Sequence, residues 1–295
     1  MSVAGGHDGW RVANAGLVHE RSPVAARSPA AARGRESDMT YTTVLFDVAD
    51  HVATVTLNRP DALNAFTLEM VEEFADLWGR VRADDDIRVV VLRAAGDRAF
   101  CTGIDVSEGW RFPANIWTEE DPGLGLSPRA NRVWKPVVAA VHGMVAGGAF
   151  YWLNDVDFIV SADDATFFDP HVSYGLTSAL EPIGLARRVP LGEVMRWALL
   201  GLDERMSARR AYEIGLVTEL VPYAGLHAHV DALARRIAAK PPAAVQGTVK
   251  AVWETLGMDR AAAQAVAWNY PMRGNPIGTA QVSRESFAKP SWTLR

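Results

Sequence analysis

Beyond residue 38 the apolar and polar positions follow two distinct periods. Residues 41–47 and 51–57 alternate with a period of two, which predicts two strands joined by a turn at Ala49-Asp50. Asn58-Arg59-Pro60 closes the second strand. Met70, Val71, Phe74, Leu77, Trp78 and Val81 then recur at helical spacing behind Thr67, a residue type suited to an N-cap. The helix is expected to run to about Arg82, where Asp84-Asp85-Asp86 breaks it. Residues 89–93 and 137–141 are short apolar runs, predicted as buried strands. Residues 99–102, 158–161 and 166–168 predict shorter strands, and 148–154 a helix with an apolar face. This strand–helix–strand rhythm implies an α/β fold, with a parallel sheet and right-handed crossovers.

The last third is predicted as mostly helical. Ser207 suits the cap of a helix ending at Gly215, followed by a strand over 216–221. Helices are expected over 226–239 and 242–256, the second opening on Pro242 and ending before Gly257. Residues 258–295 carry Pro271, Pro276 and Pro290 and read as irregular helix plus tail. Between residues 107 and 131 the periodicity fails. A loop of that length inside a compact domain is usually functional or mobile.

Residues 1–38 show neither period. They are rich in Ala, Arg, Gly and Ser, lack an apolar run of signal-peptide type, and carry Asp8, Glu20, Glu36 and Asp38, which argue against a transit peptide. The expectation is a disordered extension, or translated sequence upstream of a start at Met39. The 295-residue chain is 49% hydrophobic and 22% charged, the composition of an ordinary globular protein. Its net charge of −5 gives no footprint for nucleic acid. Its single cysteine, Cys101, excludes an internal disulfide framework and fits a reducing cytoplasm. No apolar stretch is long enough for a membrane span.

Two glycine-containing turns carry the chemistry. One reads Phe100-Cys101-Thr102-Gly103-Ile104-Asp105, the other His142-Gly143-Met144-Val145-Ala146-Gly147-Gly148-Ala149-Phe150. Each follows a predicted strand. Taken singly, each suits a tight strand–helix connection. Taken together, they can aim two backbone N–H groups at one oxygen, and two donors stabilise an oxyanion better than either alone.

Both segments closely resemble the crotonase (enoyl-CoA hydratase/isomerase) superfamily. So do Asn58-Arg59-Pro60 through Asn64-Ala65, Lys135-Pro136-Val137 through His142-Gly143, and Ser207-Ala208 through Gly215-Leu216-Val217. The resemblance implies a core of stacked ββα units over residues 39–225, a C-terminal helical segment over 226–295, and a homotrimer or homohexamer. It implies an acyl-CoA substrate, with coenzyme A entering as part of that substrate and no separate cofactor or metal. Ile104 and Gly147 inherit the two oxyanion donors. Ala62, Asn64, Gly103, Asp105, Gly148, Phe150 and Trp110 fall to the substrate-binding region.

The same resemblance exposes a gap. Phe150 and His171 stand at the two places where family hydratases carry catalytic glutamates. Phenylalanine cannot transfer protons, so Phe150 reads as pocket lining or core. Imidazole can act as acid or base near neutrality, which makes His171 the leading candidate. Asp169, two residues before it, can orient the imidazole or be a solvated loop residue. Glu181 can be the missing acid/base or a helix N-terminal acid. Asp105 suits a helix cap and His142 a structural role, while His227 and His229 face apart on one helix. The reactions left open are hydration or isomerisation, hydrolysis or lysis of a cyclic or branched acyl-CoA or β-diketone, and a catalytically silent CoA-binding subunit.

Overall fold

The computed structural model describes residues 41–107, 117, 120–283, 292 and 294. The expected extension over 1–38 and Trp110 lie outside the described residues. From Tyr41 onward the chain forms one compact unit.

The opening hairpin pairs β1 (Val44–Ala49) with β2 (Val52–Leu57) antiparallel. Asp50 and His51 make the turn with φ of 51° and 65°. Helix α1 (Leu68–Ala83) follows, and the Thr67 side chain accepts from Met70 N–H as its cap. Its apolar stripe, Met70 through Val81, is buried as the helical spacing predicts. The next strands are β3 (Val89–Ala94), β4 (Ala99–Cys101), β5 (Val137–Val141) and β6 (Met144–Ala146). After the short α2 (Phe150–Leu153) come β7 (Phe158–Ala162) and β8 (Thr166–Phe168).

The strands fall alternately into two sheets. One has the order β1-β2-β3-β5-β7 and ends on β10 (Glu219–Val221). The other has the order β4-β6-β8 and ends on β9 (Met206–Ser207). Each pair β3/β4, β5/β6 and β7/β8 therefore steps from the first sheet to the second, so the chain winds as a spiral of repeating units. The corner between β5 and β6 is Gly143, at φ 59°; a Cβ there would lie 2.3 Å from the Arg98 carbonyl oxygen. Only glycine fits that corner. The main core fills the space between the sheets, α1 and α2 with Trp78, Trp152, Phe74 and Phe100 fully enclosed.

Helices α3 (Leu180–Leu185), α4 (Leu191–Leu200) and α5 (Ala208–Glu213) follow the second sheet, and Ser207 caps α5 as expected by accepting from Arg210 N–H. Helix α6 (Tyr223–Ala238) packs on the other face of the larger sheet through Leu226, Val230, Ala234 and Ala238. The tail forms α7 (Pro242–Thr255), α8 (Arg260–Ala267) and α9 (Asn269–Ala280). Residues 260–280 are thus more regular than their prolines suggest. Pro276 sits within α9, a helix with a single buried residue, Gly278.

Candidate active site

The second sheet explains why distant residues meet. Strands β4, β6 and β8 are parallel neighbours, so their carboxyl ends open at one edge. There β4 runs into Gly103-Ile104, β6 into Gly147-Gly148, and β8 into Asp169-Pro170-His171. Carboxyl ends of parallel strands are where α/β folds gather ligands.

The backbone of the first turn is held by Phe66. Phe66 N–H donates to Gly103 O at 2.9 Å and Asp105 N–H donates to Phe66 O at 2.9 Å. In that parallel bridge Ile104 N–H points away from Phe66 and makes no backbone bond. In the second turn the register pairs Met144 with Thr166 and Ala146 with Phe168, and Thr166 N–H donates to Gly143 O. The alternate N–H groups of Val145 and Gly147 therefore face β8. Gly148 N–H comes next, within a single 3-10 turn over Gly147–Ala149, and has no backbone partner. The two turns touch here: a Cβ on Gly103 would sit 3.2 Å from Gly148 N. The resemblance assigned the second donor to Gly147, but the nitrogen beside the Gly103 turn is that of Gly148.

The third strand end supplies proton chemistry. Asp169 is fully buried, and its Oδ1 meets His171 Nδ1 at 2.5 Å and accepts from His171 N–H at 3.1 Å. Its Oδ2 accepts from Ser178 Oγ. An imidazole donating through Nδ1 keeps a lone pair on Nε2. The Asp169 hydrogen bond and charge raise the His171 pKa above its ordinary value, against the opposing effect of burial. The ring borders the second turn: a Cβ on Gly147 would lie 3.4 Å from His171 Cε1.

Glu181, at the start of α3, is 6% exposed, with Oε1 3.9 Å from His171 Nε2. Burial pushes its pKa up, and the neighbouring imidazole only partly offsets that. His171, Asp169 and Glu181 thus form one cluster.

Sequence reasoning missed Tyr151 and Asp121. Phe150, assigned to the acyl region, is fully buried against Trp197 with ring centroids 4.8 Å apart. Tyr151, one residue on, donates its hydroxyl to Asp121 and packs edge-on to Phe66 at 6.0 Å. Burial and the Asp121 carboxylate raise the Tyr151 pKa, with Glu181 contributing, so the phenol stays protonated. Asp121 also accepts from Gly123 N–H, capping a 3-10 turn over Pro122–Leu126. The available signal was the aperiodic segment between residues 107 and 131, in which Asp121 stands as a cap before Pro122-Gly123.

Other predicted residues hold the frame. Asn64, at φ 54°, donates to the carbonyls of Ala95 and Ala99 at 2.9 Å each and accepts from Arg59 N–H at 2.9 Å, so its side chain is fully used. Asp105 pairs with Arg59 at 2.9 Å and accepts two bonds from Ser107, which with the Arg59 charge lower its pKa. Ala62 ends a 3-10 turn over Pro60–Ala62 and leaves only its backbone and methyl for any ligand. His142 is buried, its ring 5.0 Å from Tyr223 and 6.4 Å from His227, and burial lowers its pKa. His229 pairs with Glu219 at 2.5 Å. Burial raises the Cys101 thiol to about 12. Among the described residues no cluster of His, Cys, Asp and Glu could hold a metal ion, and no helix is long and apolar enough to cross a membrane.

A winding two-sheet core with glycine turns at the ends of its second-sheet strands defines a crotonase-type α/β protein. The enoyl-CoA hydratase/isomerase family model matches residues 47–292, and the chain belongs to that family. It is 32% identical to (E)-benzylidenesuccinyl-CoA hydratase of Thauera aromatica, over 78% of this chain and 89% of that protein. It is 32% identical to 1,2-epoxyphenylacetyl-CoA isomerase of Escherichia coli, over 67% of this chain and 77% of that protein. A crystal structure of an enoyl-CoA hydratase/isomerase from Mycobacterium paratuberculosis superposes with a TM-score of 0.78 at 33% identity, over 87% of this chain and all of that one.

Proposed function

We propose that the protein converts an acyl-CoA thioester through an enolate held by Ile104 N–H and Gly148 N–H, with His171 moving the proton. The observation that supports this is the packing of the Gly103 turn against Gly148 N, with the Asp169–His171 pair beside Gly147 at the next strand end. Both relatives are named for CoA thioesters. In this reading the thioester oxygen accepts from both donors. His171 Nε2 takes a proton from the carbon beside the carbonyl, and the electron pair left behind moves onto the oxygen. Asp169 stabilises the imidazolium that forms. Collapse of the enolate returns a proton from His171, or from Glu181, whose raised pKa suits it as a donor. Tyr151, kept protonated, donates a hydrogen bond and does not act as base. Each oxyanion donor is worth about a hundred- to a thousandfold in rate.

Coenzyme A enters as part of the substrate, and the proton steps use only side chains of the chain. Association as a homotrimer or homohexamer accompanies this reading. With Phe150 and His171 at the places of the two glutamates, and Tyr151 held protonated, slow hydration of crotonyl-CoA is expected. The test is a panel of acyl-CoA thioesters followed by mass spectrometry, which reports hydration, isomerisation and cleavage together. His171→Ala is expected to lower turnover by about 10²–10⁴-fold with nearly unchanged KM. If Glu181→Gln abolishes turnover while His171→Ala is almost silent, the two roles exchange. If no thioester is turned over, the enzyme reading fails.

A further inference from the structure

We propose that the substrate's acyl portion is a bulky, uncharged, ring-bearing group lodged in a compartment between the core and α7. The inference rests on the acyl-CoA reading above. The compartment has a volume of about 800 Å³. A four-carbon acyl chain fills on the order of 100 Å³, taking ~30 Å³ for each water-sized group. The space instead matches the ~300–1,000 Å³ that encloses a drug-sized ligand. It adjoins the reaction centre through Glu181, which lines it and stands 3.9 Å from His171. Tyr151 contributes to the same wall.

Two tryptophans lining the compartment are fixed before any ligand arrives. Trp253 on α7 donates from Nε1 to Asp157 at 2.8 Å, and the Arg129 guanidinium stacks 4.7 Å from its ring centroid. Trp134 carries the Lys250 ammonium 4.4 Å from its ring. Indoles held in this way lose little freedom when a planar group stacks on them. The charges lining the depth answer one another. Arg129 pairs with Asp157 at 2.7 Å, Asp155 accepts from Ser127, and Arg188 donates to the carbonyls of Asn154 and Val156. Both buried arginines are thus already engaged, Arg129 with Asp157 and Arg188 with two carbonyls beside the Asp155 and Asp157 charges, so an apolar group suits the depth better than a carboxylate. Arg187 also lines the compartment but is solvent-exposed.

The test compares three thioesters by calorimetry on the full chain: butanoyl-CoA, succinyl-CoA and 3-phenylpropanoyl-CoA. The phenyl thioester is expected to bind at least tenfold more tightly than either of the others. Val252 on α7 lines the compartment and is 58% exposed, so added bulk there intrudes on the space without disturbing the core. Val252→Trp is expected to bring the phenyl-to-butanoyl ratio close to one. Equal affinities in the unaltered protein, tightest binding of succinyl-CoA, or a ratio unchanged by Val252→Trp each overturn the inference while leaving the acyl-CoA reading intact. Failure of all three to bind overturns both.

Discussion

His171 and Glu181 owe their chemistry to opposite surroundings. A carboxylate partner holds the proton on His171, whereas burial makes the charged form of Glu181 unfavourable. Both pKa values rise, with the same consequence for stability. His171 contributes stability that is full below its ordinary value of 6.5 and is lost as pH climbs through the raised value. Glu181 folds more favourably when protonated, so its share is full below 4.5 and lost as pH climbs through its raised value. Glu181→Gln is therefore expected to raise the melting temperature relative to the unaltered protein at pH 8 and to leave little difference at pH 4. A lower melting temperature at pH 8 would show the ionised carboxylate to be stabilising. His171 was legible from the position the resemblance gives it, and Asp169 from its two-residue spacing to that histidine. Their closeness to Glu181 was not, because nine residues with no regular period lie between His171 and Glu181.

At the scale of elements, α2 shows what a sequence pattern can and cannot fix. A helix was legible near residue 148, but its phase was not. The chain enters through one 3-10 turn over Gly147–Ala149, which advances about 120° per residue against about 100° in an α-helix. That turn helps decide that Phe150 enters the core and Tyr151 meets Asp121. Phe150→Leu is expected to cost less than about 1.5 kcal/mol and to keep turnover, as volume-tolerant core changes do. Tyr151→Phe is expected to keep stability while lowering turnover. Denaturant unfolding and turnover of both variants separate the two, and the reverse pattern would return the pocket role to Phe150. Strand β6 was read as turn because only three residues carry it and glycines flank it. Helix α1 was legible because its burial follows the helical period, and β3 and β5 because each is an uninterrupted apolar run; the hairpin was legible from sequence alternation although β2 is buried on both faces and β1 is mostly exposed.

For the whole molecule, several motifs in order carried the fold, and the spiral of paired strands follows from them. The acyl group did not follow, because its compartment is assembled from α2, α3 and α7, which are far apart in sequence. Association was read only through resemblance. Leu191, Met195 and Leu199 on α4 stand 67%, 45% and 61% exposed, an apolar surface of the kind that association covers. Sedimentation is expected to give the mass of three or six chains, with Leu199→Glu shifting it toward the monomer; a monomer in the unaltered protein would contradict the oligomeric proposal. The central claim is proton transfer beside a thioester carbonyl held by Ile104 and Gly148. Incubating the protein with butanoyl-CoA in deuterated water and following the thioester's mass tests it without knowledge of the natural product. The account predicts deuterium entering at the carbon next to the carbonyl, at a rate that His171→Ala lowers at least a hundredfold. Exchange no faster than in protein-free buffer, or exchange indifferent to His171→Ala, would contradict it.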